Sequence, residues 1–217
     1  MITKKRTAIL ISGRGSNMQA LVNAARAAEY PAEIVLVASN RPEAVGLRWA
    51  VAQGLATLAI DYKTYPSRAA FEAVLQTALE AAGVELIALA GFMRLMTPEF
   101  VDRWRNRMIN IHPSLLPSFK GLHTHEQALA AGVRITGCTV HFVRPEMDTG
   151  PIIAQAAVPV FAGDTPDDLA SRVLEAEHAL YPAALSLIAS ERVRCEKEKI
   201  TFFEDVKQET ALFSPSV

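Results

Sequence analysis

Four short apolar runs set the rhythm of the chain, at residues 8–11, 33–38, 55–60 and 84–90. Each is close to continuous in apolar character rather than alternating, the pattern of strands buried on both faces. Between them, residues 18–28, 44–53 and 68–82 place apolar side chains three and four apart, which predicts amphipathic helices. Gly54 and Gly83 stand where those helices need C-caps. Strand–helix–strand repeated three times predicts right-handed parallel crossovers and an α/β fold. The expected architecture is a single open, mostly parallel twisted sheet flanked by helices.

Beyond Gly91 the rhythm loosens. Thr97 followed by Pro98 marks a short helix over 98–104, because proline suits the first helical position. A strand over 108–112 leads into a loop over 113–121 and then a helix over 125–131. Residues 136–143 alternate more and fit a strand nearer one edge; 151–160 fit another, opened by a proline. A long helix is predicted over 166–190, with Pro182 as a bend. The domain is expected to span 1–193, leaving a charged, partly disordered tail over 194–217.

Composition narrows the class without naming a chemistry. The chain has 217 residues, 22 basic against 23 acidic, and a net charge of −1. That balance argues against a nucleic-acid footprint and against a polybasic membrane patch. No apolar run approaches the roughly 18 residues of a membrane span. The apolar stretch after the basic start, residues 7–12, is too short for a signal peptide. Cys138 and Cys195 stand apart, so neither a disulfide framework nor a CxxC site is available. A soluble, cytoplasmic protein is the expectation.

Four polar clusters carry candidate chemistry. Residues 12–17, Ser-Gly-Arg-Gly-Ser-Asn, fall between the first strand and the first helix. A helix N-terminus at the carboxyl end of a parallel sheet binds phosphate through free N–H groups and the helix dipole. Met18 occupies the third glycine position of a dinucleotide fingerprint, so a mononucleotide phosphate fits better than NAD. A plain tight turn capped by Ser16 or Asn17 fits the same residues. Asn110 and His112 share one side of the 108–112 strand, about 6.6 Å apart. An amide beside an imidazole can stabilise an oxyanion while moving a proton, or can be a structural histidine beside a turn-making asparagine. Asp148, in Glu-Met-Asp-Thr-Gly, offers a carboxylate to orient His112, or ordinary turn chemistry. His123 and His125, with His112 and His141, raise a metal reading. No HExxH spacing or cysteine partner accompanies them, and capping of the following helix is the plainer account. Residues 103–107, with three arginines, read as a solvated face.

Five segments in order carry a resemblance: Ile-Ser-Gly-Arg-Gly-Ser-Asn at 11–17, Ala-Gly-Phe-Met-Arg at 90–94, Asn-Ile-His-Pro-Ser-Leu-Leu-Pro at 110–117, Gly-Leu-His-Thr-His at 121–125 and Asp-Thr-Gly-Pro-Ile at 148–152. From about Ala8 to Pro182 the chain resembles the folate-dependent formyltransferases, in their glycinamide ribonucleotide branch. The resemblance implies a Rossmann-like formyltransferase fold. It also implies transfer of a formyl group from 10-formyltetrahydrofolate to the glycine amine of glycinamide ribonucleotide, a purine-biosynthetic step without a metal. On that resemblance Asn110, His112 and Asp148 are catalytic. Gly15, Ser16, Asn17 and Glu177 bind the ribonucleotide. Arg68, Met93, Arg94, Leu95, Met96, Val143 and Arg144 hold the folate, with Asn110 and Asp148 at the junction. Two sibling activities, formyltetrahydrofolate hydrolysis and methionyl-tRNA formylation, would require an appended domain for which this length leaves no room. The expected partners are the two small molecules, with no nucleic acid or membrane, and a monomer or homodimer.

Overall fold

The computed structural model describes residues 3–203 and Ser214. Seven strands form one sheet: β1 (Lys5–Ile11), β2 (Ala32–Ser39), β3 (Thr57–Ala59), β4 (Leu86–Leu89), β5 (Met108–His112), β6 (Ile135–Phe142) and β7 (Ile152–Pro159). Six helices accompany them: α1 (Ser16–Ala25), α2 (Val45–Ala52), α3 (Arg68–Ala81), α4 (Pro98–Arg103), α5 (Thr124–Ala130) and α6 (Pro166–Ala189). The strand order is β3-β2-β1-β4-β5-β6-β7. Pairings from β3 to β5 are parallel, and β6 and β7 add as antiparallel neighbours. The open, mostly parallel sheet is therefore as expected. The chain winds outward from β1 to β3 and then returns to build from β4, so the order reverses at the β1–β4 junction. Such a switch point opens a crevice at the strands' carboxyl ends.

The burial of β1 shows why its sequence is continuously apolar. Ile9 and Ile11 enter the core beneath α1, α2 and α6, whereas Ala8 and Leu10 enter the opposite core beneath α3 and α4. Two faces are covered, so alternate residues need the same chemistry. Helix α6 is tied to the sheet by Tyr181, which is fully buried and whose hydroxyl donates to the Leu89 carbonyl at 2.9 Å. That bond satisfies a hydroxyl whose burial would otherwise cost about 1–3 kcal/mol. The α6 N-terminus is a capping box between Thr165 and Asp168, with Pro166 in the first turn.

Several expectations shift. The 55–60 run forms only the short β3, whose three side chains are half-buried or exposed because it lies at the sheet edge, while Ile60 beyond it is buried. Helix α6 continues through Pro182. The cap of α1 is Gly15, left-handed at φ 74, with no side-chain cap from Ser16 or Asn17. The expected tail begins instead as an antiparallel hairpin of β8 (Val193–Glu196) and β9 (Lys199–Phe202). Val193 joins the main core, with Cys195 and Ile200 packed against it, which gives this polar segment a reason to fold. Residues 204–213 and 215–217 of that tail lie outside the described residues.

Candidate active site

A cleft of about 820 Å³ opens at the carboxyl ends of β4 and β5. Strand β5 delivers Asn110 and His112 to its wall, and the proline that follows ends the strand there. His112 is 5% exposed, and both its ring nitrogens face acceptors. Nε2 lies 3.0 Å from the Phe119 carbonyl and Nδ1 lies 3.5 Å from Asp148 Oδ2. A neutral imidazole has one N–H and can serve only one of them, whereas the imidazolium serves both. Asp148 itself sits in a left-handed conformation (φ 54), and its Oδ2 accepts the Gly121 N–H at 2.9 Å. The carboxylate is thus aimed back at His112 across the cleft. The proposed trio meets in one place.

His141 belongs to this cluster, although the sequence suggested it only as a metal candidate. The β5–β6 register places it directly opposite Asn110, and its Nε2 lies 3.3 Å from Asn110 Nδ2. Burial pushes its pKa down, with the Phe142 carbonyl and Asp148 acting the other way. A neutral ring donating from Nδ1 to the Phe142 carbonyl, at 3.0 Å, leaves Nε2 free to accept from the Asn110 amide. One Asn110 N–H is thereby anchored and the other is left for the cleft. The signal was available in the antiparallel pairing, which apolar periodicity does not report.

At another part of the wall, Asn17 Nδ2 donates to Glu177 Oε2 at 2.7 Å, joining α1 to α6. Asn17 Oδ1 is buried without a partner. A buried acceptor on Asn17 therefore lies beside the Glu177 carboxylate, and a ligand donor would satisfy it. Desolvation raises the Glu177 pKa, partly offset by the Asn17 bond. Below the ordinary glutamate range both folded and unfolded chains hold the proton, and burial exacts no charge penalty. Above it the unfolded chain ionises first, so the penalty grows with pH and levels off above the folded value. Glu177→Gln is expected to raise Tm at about pH 7 and leave it nearly unchanged at about pH 3. Thermal melts at the two pH values check this, and a lower Tm at neutral pH would contradict it.

The folate-side expectations divide. Met93, Arg94, Leu95, Met96 and Val143 line the cleft. Their segment is pinned at both ends: Met93 N–H donates to Ser12 Oγ at 2.8 Å and Thr97 N–H to the buried Glu72 at 2.8 Å. The Arg94 guanidinium stacks 4.4 Å from the Tyr62 ring, and its buried Nε has no partner. Arg144 lines the cleft, but its guanidinium is engaged by Glu198, Asn106 and Cys195 rather than left free for a ligand. Arg68, at the exposed start of α3, is not brought to the cleft wall, and neither are Gly15 and Ser16. The second glycine of that first loop still has a structural reason, since a side chain on Gly15 would be strained at φ 74 and would press on Met18. His125 faces the cleft with its pKa lowered by burial, while His123 pairs with Glu126 at 3.2 Å. Among the described residues no group of three or more His, Cys, Asp and Glu is arranged to hold a metal ion.

Residues 5–185 match the model of the formyl transferase family. The chain belongs to that family. The phosphoribosylglycinamide formyltransferase of Escherichia coli (strain K12) is 44% identical over 86% of this chain and 88% of its own length. The trifunctional purine biosynthetic protein adenosine-3 of Gallus gallus is 53% identical over 88% of this chain. The chain spans only 19% of that larger relative. A solved structure of glycinamide ribonucleotide transformylase 1 from Symbiobacterium toebii superposes with TM-score 0.90 at 46% identity, covering 93% of this chain and 95% of that one. Among the described residues no helix of this formyl transferase is long and apolar enough to cross a membrane.

Proposed function

We propose that this formyl transferase moves the formyl group of 10-formyltetrahydrofolate to the glycine amine of glycinamide ribonucleotide, a cytoplasmic step of purine biosynthesis. The observation that carries this reading is the convergence of Asn110, His112 and Asp148 in a cleft that is also lined by the hydrogen-bonded pair Asn17 and Glu177. The amine donates to Glu177 and Asn17 Oδ1, and the ribonucleotide phosphate reaches beyond the cleft wall to Gly15, Ser16 and Asn17 at the N-terminus of α1. Backbone N–H groups and the helix dipole favour an anion there, which a net charge of −1 over the whole chain does not. The pterin and aromatic part of the folate lies between the 93–96 segment and the 143–148 loop. Met93, Leu95 and Met147 give that part of the cleft exposed apolar surface.

Amine attack on the formyl carbon makes a tetrahedral adduct bearing an oxyanion. The free N–H of Asn110 and the imidazolium of His112 stabilise that charge, His112 Nε2 exchanging the Phe119 carbonyl for the oxyanion. Each well-placed donor in a dry site is worth roughly 3–4 kcal/mol. Asp148 orients the His112 ring and accepts the amine proton through an ordered water, and the proton passes to the departing folate nitrogen. Collapse of the adduct releases tetrahydrofolate and the formylated amide.

The test is a steady-state assay in which tetrahydrofolate appearance is followed with and without glycinamide ribonucleotide, beside a tRNA control. Tetrahydrofolate formation that saturates in both substrates and stops without the ribonucleotide supports the proposal. Formation independent of it, with formate released, would show a hydrolase instead. In the same assay Glu177→Gln is expected to raise KM for the ribonucleotide by roughly tenfold or more, since hydrogen bonds to charged groups contribute about 1.5–3 kcal/mol.

A further inference from the structure

The Arg144 guanidinium is a junction of three chain segments. It is 8% exposed. Its Nε donates to Glu198 Oε2 at 2.6 Å, Nη2 to Asn106 Oδ1 at 2.7 Å and Nη1 to the Val143 carbonyl at 2.9 Å. Glu198 lies at the turn of the β8–β9 hairpin, and Asn106 lies in the turn that leads into β5. The Arg144 stem packs at the neck of the 143–150 loop. A Cβ on Gly150 would fall 1.6 Å from the Phe142 carbonyl and 3.3 Å from Arg144 Cγ, so the two ends of the loop are in direct apposition. That loop carries Asp148.

The hairpin turn gives a second, independent sign. Lys197 and Glu198 both adopt left-handed backbone, at φ 48 and φ 61. Tight hairpin turns of this kind favour Asn-Gly or a related pair, because bulkier residues are strained at positive φ. A glutamate stands where glycine would be easier, and its carboxylate receives Arg144 and also Arg105.

We infer that Glu198 and Arg144 are positioning residues for catalysis, the C-terminal hairpin bracing the loop that holds Asp148 against His112. The inference rests on the formyltransferase reading above. It assigns Arg144 a supporting role rather than the direct folate contact the sequence suggested. The brace acts through the loop's neck, so it controls the folate side and the alignment of Asp148 while leaving the Asn17–Glu177 side untouched.

Glu198→Gly separates this role from folding, because it removes the carboxylate while relieving the left-handed turn. Hydrogen exchange of the ligand-free protein is expected to quicken by roughly tenfold at amides of the 143–150 loop, with β1 unchanged. Kinetically, kcat is expected to fall about tenfold and KM for 10-formyltetrahydrofolate to rise several-fold, since small misplacements of a catalytic group are costly. KM for the ribonucleotide stays within about twofold of the parent value. Arg144→Met is expected to show the same pattern. Loop exchange and folate-side constants within twofold of the parent would overturn the inference, as would equal losses for both substrates. If the parent protein itself transfers no formyl group, the functional proposal fails instead, and the exchange measurement still decides the brace.

Discussion

Replacing His112 with alanine is expected to lower kcat by at least about a hundredfold, with little change in either KM. The effect is large because one group supplies two things. Its charge faces the developing oxyanion, and its link to Asp148 fixes where the proton acceptor sits. His112 is buried between the Phe119 carbonyl and the Asp148 carboxylate, so an alanine leaves two acceptors facing each other across a polar gap. Water fills such a gap more readily than an apolar one, which limits the loss of stability. A melting curve run beside the kinetics distinguishes lost chemistry from lost fold. Near-parental turnover in a folded His112→Ala protein would remove the oxyanion mechanism.

Asp148→Asn is expected to cost on the order of a hundred- to a thousandfold in kcat while leaving Tm nearly unchanged. Asparagine is the informative replacement here. It tolerates the left-handed backbone that Asp148 adopts, and its Oδ1 can still accept the Gly121 N–H. Shape is therefore preserved and only the charge is lost. Without the charge, the His112 ring keeps an oxygen opposite Nδ1 but loses its ionic partner, and the relaying water loses its base. The double variant is expected to be about as slow as the worse single variant, because residues that act as a unit do not add. Additive losses would mean that the two groups work separately.

The parts of the molecule that were legible in the sequence are those governed by burial on two faces and by local caps. The alternation of Ala8 and Leu10 against Ile9 and Ile11 between two cores is the physical content of a continuous apolar run. Thr97–Pro98 and Thr165–Pro166 open helices as their chemistry requires. Legibility falls where partners come from distant segments. His141 meets Asn110 only because β6 turns back antiparallel onto β5, and the sequence interval between them carries no trace of that pairing. Residues 193–202 look irregular because their polar side chains conceal the few, Val193, Cys195 and Ile200, that reach the core. Arg144 illustrates the same difficulty from the site's side. The family resemblance implies a folate contact for it, and only the fold shows that its charge is already matched by Glu198, which is held below the usual carboxylate range chiefly by that bond.

In the proposed reaction one cleft joins the formyl donor and the ribonucleotide amine directly. A single-turnover experiment with formyl-labelled 10-formyltetrahydrofolate and excess enzyme tests it most closely. The label is expected to appear in the ribonucleotide as an N-formyl amide, in step with tetrahydrofolate formation and without free formate. Label released as formate while the ribonucleotide stays unmodified would contradict it.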